Sequence, residues 1–104
     1  MRTERETRAA CIQLGLPFAN LAKHEISNHI LELVPRAIAR RYRVIPVAIK
    51  GDTLILATNA SEDVLDRVLD ASIDLQRRCC AALASWQDLD QRMVQYYPES
   101  GNQS

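Results

Sequence analysis

Two histidines are the first residues in this sequence that could hold a metal ion. His24 and His29 stand five residues apart, with Glu25 and Glu32 close by, and imidazole and carboxylate groups both bind zinc. On a helix, however, positions i and i+5 do not share a face, and His24 precedes the predicted helix. We therefore expect two solvated histidines and no metal site.

The sequence contains three cysteines, and the pair Cys79 and Cys80 could chelate a metal ion or form a strained vicinal disulfide. Cys79 and Cys80 are adjacent and fall in a predicted strand, where neighbouring side chains point to opposite faces. Cys11 falls in a predicted helix. An odd number of cysteines with one adjacent pair does not form a disulfide framework, so we expect each to act as a small buried apolar residue.

A run of arginines is the most informative surface feature. Arg36, Arg40, Arg41 and Arg43 lie within eight residues, without an acidic residue among them. Arg36 and Arg40 share a helix face, and cations are favoured in the last turn of a helix. Two interpretations remain open, a solvated surface or a patch that binds an acidic protein partner or a phosphate-rich surface. The four arginines are our candidate partner-binding residues.

Several function classes are excluded by what the sequence lacks. It contains neither a GxxxxGK[ST] phosphate loop nor GxGxxG, and no nucleophile motif. We therefore expect no enzyme activity and no cofactor. The 13 basic and 13 acidic residues balance, and aromatic residues make up 5%, which argues against nucleic-acid binding. No apolar run reaches the ~20 residues of a membrane span, and the charged N-terminus lacks a signal peptide, so we expect a cytoplasmic protein.

The pattern of apolar residues, caps and breakers predicts the elements that position these side chains. Thr3 is the predicted cap of the first helix, and Gly15 ends it. The acidic helix after Ser61 has Val64, Leu65, Val68 and Leu69 as its apolar stripe. The predicted elements, in chain order, are helices 3–14, 27–34 and 35–42, strands 44–49 and 53–58, a helix begun by Ser61, a strand 76–84 and a helix capped by Ser85.

This order predicts an α+β fold, with a small three-stranded sheet, made of a hairpin plus a helical crossover strand, packed with about five short helices. The strand order stays open, because a split arrangement would place the first strand in the middle, where Pro46 cannot donate a ladder hydrogen bond. Phe18 is the expected anchor of the linker between the first two helices. Residues 1–97 are predicted to form a single domain and 98–104 a disordered tail.

The ordered series of motifs resembles a known family. The runs LGLPFANL (14–21), IS..ILELVP (26–35), ARRYRVIPV (39–47), GDTLILATN (51–59) and ALASWQDLDQ (82–91) are similar to the N-terminal domain of type II secretion and type IV pilus assembly ATPases. The resemblance covers residues 8–97. Asn20, Ser27 and Ala60 depart from the residues usual in the family, and Ser27 keeps the capping chemistry.

The resemblance implies a non-catalytic docking domain. Its partner would be the cytoplasmic part of an inner-membrane secretion or pilus component, so the domain would act in the cytoplasm beside the inner membrane. Family members that read cyclic di-GMP carry two upstream motifs beginning Arg-Leu-Gly, and Gln13 matches only the end of the second. We therefore do not expect this chain to sense a nucleotide.

Three hypotheses remain open at this stage. The first is the docking domain, and the second is a sensor that binds a cyclic dinucleotide or another anion near the same arginines. The third is a stand-alone regulator unrelated to secretion, which the neighbouring genes would distinguish.

Overall fold

The computed structural model describes residues 4–98 and has the α+β architecture expected from the sequence. Within this range it contains five helices and three strands. In chain order they are α1 (Glu4–Leu14), α2 (Asn28–Leu31), α3 (Arg36–Tyr42), β1 (Ile45–Lys50), β2 (Thr53–Asn59), α4 (Val64–Leu75), β3 (Cys79–Ala84) and α5 (Trp86–Tyr96). Residues 1–3 and 99–104, which include the expected cap Thr3 and most of the expected tail, lie outside the described residues.

The sheet has β2 in its centre, which resolves the open question of strand order. β1 pairs with β2 antiparallel, and β3 pairs with β2 parallel after the crossover through α4. β1 is therefore an edge strand, and the ladder shifts register between Pro46 and Ala48. An edge strand with an irregular ladder tolerates proline because the missing N–H removes no bond from the sheet interior.

Local sequence signals end and begin several elements as expected. Gly15 ends α1 with φ 70°, and the next N–H, that of Leu16, donates to Cys11 O at 2.9 Å. A left-handed residue favours glycine in this position. Gly51 has φ 62° in the two-residue turn between β1 and β2. Ser27 caps α2 and Ser85 caps α5, each through its side-chain oxygen.

Several element boundaries differ from the sequence prediction. β3 begins at Cys79 rather than at residue 76, because α4 extends to Leu75 and Gln76 is its C-cap. α2 ends at Leu31, and the chain continues to Val34 with tighter backbone bonds of the i to i+3 type. The reason is Pro35, which disfavours the α conformation in the residue before it. Pro35 itself is the N-cap of α3 rather than its first residue.

Ser61 was expected to cap the acidic helix, but Asp63 is the N-cap of α4. The Ser61 hydroxyl donates to Asp63 Oδ1 at 2.6 Å and accepts from Arg67 Nη2 at 3.0 Å. The expected apolar stripe of α4 also divides, because Val64 and Val68 are buried whereas Leu65 and Leu69 are exposed.

The main core lies on both sides of β2, where alternate side chains point to opposite faces. Its fully buried large residues include Leu21, Ile45, Leu54, Leu56 and Leu89. A second, smaller cluster contains Ala10, Cys11, Val64 and Leu83.

Phe18 packs against this second cluster and forms an isolated parallel bridge with Leu83. The guanidinium of Arg8 lies 4.2 Å from the centre of its ring. The linker between α1 and α2 is therefore anchored by Phe18, as expected from the sequence.

Candidate functional site

The arginine patch consists of Arg36, Arg40, Arg41 and Arg43, and α3 carries the first three. Pro35 starts this helix with an extended backbone, and buried Ala39 faces the core. Arg36, Arg40 and Arg41 are exposed, because the apolar positions of α3 occupy the opposite side of a seven-residue helix.

Contacts to two other helices hold α3 in place. Arg40 Nη1 donates to Tyr97 O at 2.6 Å, beyond the end of α5. Towards α4, the Tyr42 hydroxyl donates to Asp74 Oδ2 at 2.6 Å, and this hydrogen bond raises the pKa of Tyr42. Arg41 Nη1 lies 3.7 Å from the same Asp74 oxygen, with 69% of its side chain exposed. An exposed pair of this kind contributes little to stability, so Arg41 remains accessible to a partner.

Arg43 differs from the other three arginines. It caps α3 in the left-handed conformation with φ 56°, which turns the chain from the helix into β1. Its guanidinium lies 4.3 Å from the centre of the Trp86 ring and 3.2 Å from Asp90 Oδ1, and Thr58 Oγ1 donates to its carbonyl at 2.8 Å. Because these contacts hold its side chain within the fold, Arg43 joins α3 to β2 and α5.

Arg67 is a half-buried arginine to which the sequence analysis gave no role. Its guanidinium donates to Tyr42 O at 3.2 Å and to Asn59 O at 3.0 Å, and burial lowers its pKa. These bonds satisfy carbonyls at the ends of α3 and β2. The only signal in the sequence was a single basic residue within an acidic helix.

A second candidate site is a pocket of about 390 Å³ whose lining is mostly apolar but includes basic side chains. We call it the basic pocket. Side chains on one sheet face form part of it, since the register places Ala48, Ile55 and Ala82 on that face. The linker after α1 provides Phe18. The full lining is Pro17, Phe18, Ala19, Asn20, Lys23, His24, Val47, Ala48, Lys50, Ile55 and Ala82.

Three residues that line the basic pocket carry basic side chains, Lys23, His24 and Lys50, and its described lining includes no acidic residue. His24 Nε2 lies 3.1 Å from Val47 O. The pocket falls within the ~300–1,000 Å³ of typical small-molecule sites, and its charge favours an anion with an apolar part. The sequence analysis missed it because its basic residues come from separate segments.

The scan against known families matches the MshEN domain family over residues 14–103. The chain belongs to the MshEN domain family. This confirms the resemblance to the N-terminal domains of secretion and pilus ATPases. The search of curated proteins found no significant match.

Solved structures agree with this assignment. The MshEN domain described here is similar to MshE with cyclic di-GMP (cdg), at TM-score 0.77 and 25% identity, covering 91% of this chain and 69% of that one. Two crystal forms of the N-terminal domain of XpsE share the fold. They give TM-scores of 0.64 and 0.61 at 15% and 14% identity, with 95% and 91% of this chain and 69% and 66% of those chains covered.

The cysteines of this MshEN domain are free thiols. Burial raises the pKa of Cys11 and of Cys79, which disfavours the nucleophilic thiolate. Cys80 is exposed, so the expectation that it is buried was wrong. The reason is that Cys80 lies near the start of edge strand β3, where the sheet face is not covered.

Residues 4–98 include no group of three or more histidine, cysteine, aspartate or glutamate residues placed to hold a metal ion. His24 and His29 are both exposed. Among the described helices, none has the length and apolar character needed to cross a membrane.

Proposed function

We propose that this MshEN domain is a non-catalytic docking module of a bacterial type II secretion or type IV pilus ATPase. The observation that carries the proposal is the presence of three exposed arginines on one short helix that other helices hold in place. The family assignment supplies the biological setting. The domain would act in the cytoplasm beside the inner membrane.

The geometry of α3 favours recognition of an acidic protein surface. Arginine donates several hydrogen bonds in a planar arrangement that matches carboxylates. Arg40 is oriented by Tyr97 O, and the α3 backbone is fixed through Tyr42 and Asp74. A pre-ordered donor loses less conformational freedom when a partner binds. The proposed partner is the cytoplasmic part of an inner-membrane component of the same system.

Charge reversal tests this proposal. The double variant Arg36→Glu, Arg41→Glu changes two exposed side chains of the patch. Arg5→Glu, Arg78→Glu is the matched control, because it makes the same charge change at exposed positions on α1 and before β3. Affinity for the purified cytoplasmic segments of the system's inner-membrane components is measured by calorimetry.

We expect the patch variant to bind at least tenfold more weakly and the control to stay within about threefold of the wild type, since close charge pairs at interfaces contribute about 1.5 kcal/mol or more. Equal affinities for all three proteins would contradict the proposed role of the patch. Arg43 is left unchanged because its contacts with Trp86 and Asp90 stabilise the fold.

A second candidate function is a sensor for a cyclic dinucleotide or another anionic ligand. The basic pocket and the similarity to MshE with cyclic di-GMP favour it. Calorimetry with cyclic di-GMP tests this alternative. Micromolar binding that Lys23→Ala, Lys50→Ala weakens at least tenfold would support a sensor that uses the pocket, whereas no binding by the wild type would reject cyclic di-GMP as its ligand.

A further inference from the structure

An exposed row of large apolar side chains runs along α4. Leu65, Leu69 and Ile73 lie at positions i, i+4 and i+8 and are 56%, 57% and 63% exposed. Residues four apart are neighbours on one face of a helix, so the three side chains form a continuous apolar row. The row extends about 12 Å along the helix axis, at about 1.5 Å per residue.

The apolar row borders a groove of about 280 Å³ between α4 and β3. The lining residues are Leu16, Leu65, Val68, Leu69, Ser72, Cys79, Cys80 and Ala81. None of them is charged. The Ser72 hydroxyl already donates to Leu69 O at 2.7 Å within the helix. The groove therefore offers apolar contact and little hydrogen bonding, which suits apolar side chains of a partner.

A row of acidic residues accompanies the apolar row. Asp66 and Asp70 follow Leu65 and Leu69 in sequence and are exposed. Neither side chain has a hydrogen bond or ion pair with another residue of the described range 4–98. Asp74, the next residue in this row, is already bonded to Tyr42. Along α4, the uncompensated charge next to the apolar row is therefore that of Asp66 and Asp70, and it favours a cationic partner.

A second copy of the chain does not fit this surface well. Two copies packed through the groove would place their aspartate rows near each other, and like charges across an interface are unfavourable. An anionic membrane would be repelled by the same aspartates.

We propose that the groove between α4 and β3 binds a cationic amphipathic helix of a partner protein. Apolar side chains of that helix would contact Leu65, Leu69 and Ile73, and its lysines or arginines would face Asp66 and Asp70. A row of about 12 Å corresponds to roughly two turns of such a helix. This surface has the opposite charge to the arginine patch, and the inference stands even if that patch binds nothing.

Two synthetic helical peptides of identical length test the proposal with the full chain. One carries leucines at i, i+4 and i+7 flanked by lysines, and in the other every lysine is replaced by glutamate. Binding is measured by fluorescence anisotropy, and the binding surface is mapped by NMR chemical-shift changes. We expect the cationic peptide to bind at least tenfold more tightly and to shift resonances of α4 and β3.

Variants locate the interaction. Leu65→Ser, Leu69→Ser should weaken binding of the cationic peptide at least tenfold, and Asp66→Asn, Asp70→Asn about threefold or more. Val94→Ser is the matched control, because Val94 is 64% exposed on a different helix, and it should leave affinity unchanged.

Three outcomes would overturn the proposal. They are equal binding of the two peptides, unchanged affinity in the leucine variant, and sedimentation showing that the wild type occupies this face by pairing with itself.

Discussion

Tyr97 offers a test of how stability depends on pH. Its hydrogen bond stabilises the fold near neutral pH, whereas burial of its phenol destabilises the fold at alkaline pH. Its side chain follows α5, is 5% exposed, and donates from its hydroxyl to Leu31 O at 3.1 Å. Tyr97→Phe keeps the buried ring and removes this bond. Near neutral pH we expect the free energy of unfolding to fall by about 1 kcal/mol, the usual net value of such a hydrogen bond.

Alkaline pH should reverse the order of stability. Burial raises the pKa of Tyr97 from 10.0 to about 12. Below pH 10 the phenol is protonated in both the folded and the unfolded state. Above it the unfolded chain ionises first, so the wild type loses stability as pH rises towards about 12. At about 1.36 kcal/mol per pKa unit, the wild type should lose about 1.4 kcal/mol relative to the variant between about pH 9 and about pH 11.

The assay is urea denaturation followed by the fluorescence of Trp86, repeated at intervals from about pH 7 to about pH 11 for both proteins. Other groups that titrate in this range, such as Tyr42, occur in both proteins and cancel in the difference. The two stability curves should cross between about pH 10 and about pH 11. Curves that stay parallel would show that the Tyr97 phenol is not protected by burial, and would refute the reasoning.

Three further substitutions and one control, Gln91→Gly, test local features by the same denaturation assay. Thr58→Val should cost about 1–2 kcal/mol, because it removes the hydroxyl that donates to Arg43 O, and an unchanged stability would show that this bond contributes nothing. Gln76→Gly should stabilise the protein by about 0.5–1 kcal/mol, because Gln76 ends α4 with φ 54°, a conformation that favours glycine. Gln91→Gly inside α5 should instead destabilise the protein by about 1 kcal/mol. Equal effects of the two substitutions would contradict the strain at position 76. Ser85→Ala should cost about 1 kcal/mol through loss of the α5 cap, and a cost below about 0.3 kcal/mol would count against it.

Much of the architecture could be predicted from the sequence because its signals are local. Gly15, Ser27 and Ser85 end or begin helices through contacts within about one turn of chain. The hairpin and the crossover helix follow from apolar patterns and short turns. The family resemblance also depends on an ordered series of short motifs, and the match over residues 14–103 confirmed it.

The candidate sites depended on contacts between residues distant in the chain. In the sequence, nothing distinguishes the four arginines of the patch from one another. Only the fold brings Asp90, 47 residues away, to Arg43, and this contact makes the environment of Arg43 different from that of the other three. The basic pocket likewise combines Lys23 and Lys50 from different segments.

The sequence by itself determined the class of fold, the family and the positions of the charged and apolar residues. Tertiary structure decided the order of the strands and which side chains of α4 are exposed, since Leu65 and Leu69 carry the same helical pattern as buried Val64 and Val68. Hydrophobic periodicity shows which side of a helix is apolar, but not which residues on that side are covered. How much of that face is covered depends on where β3 and α1 pack against it, which no short segment of the chain encodes.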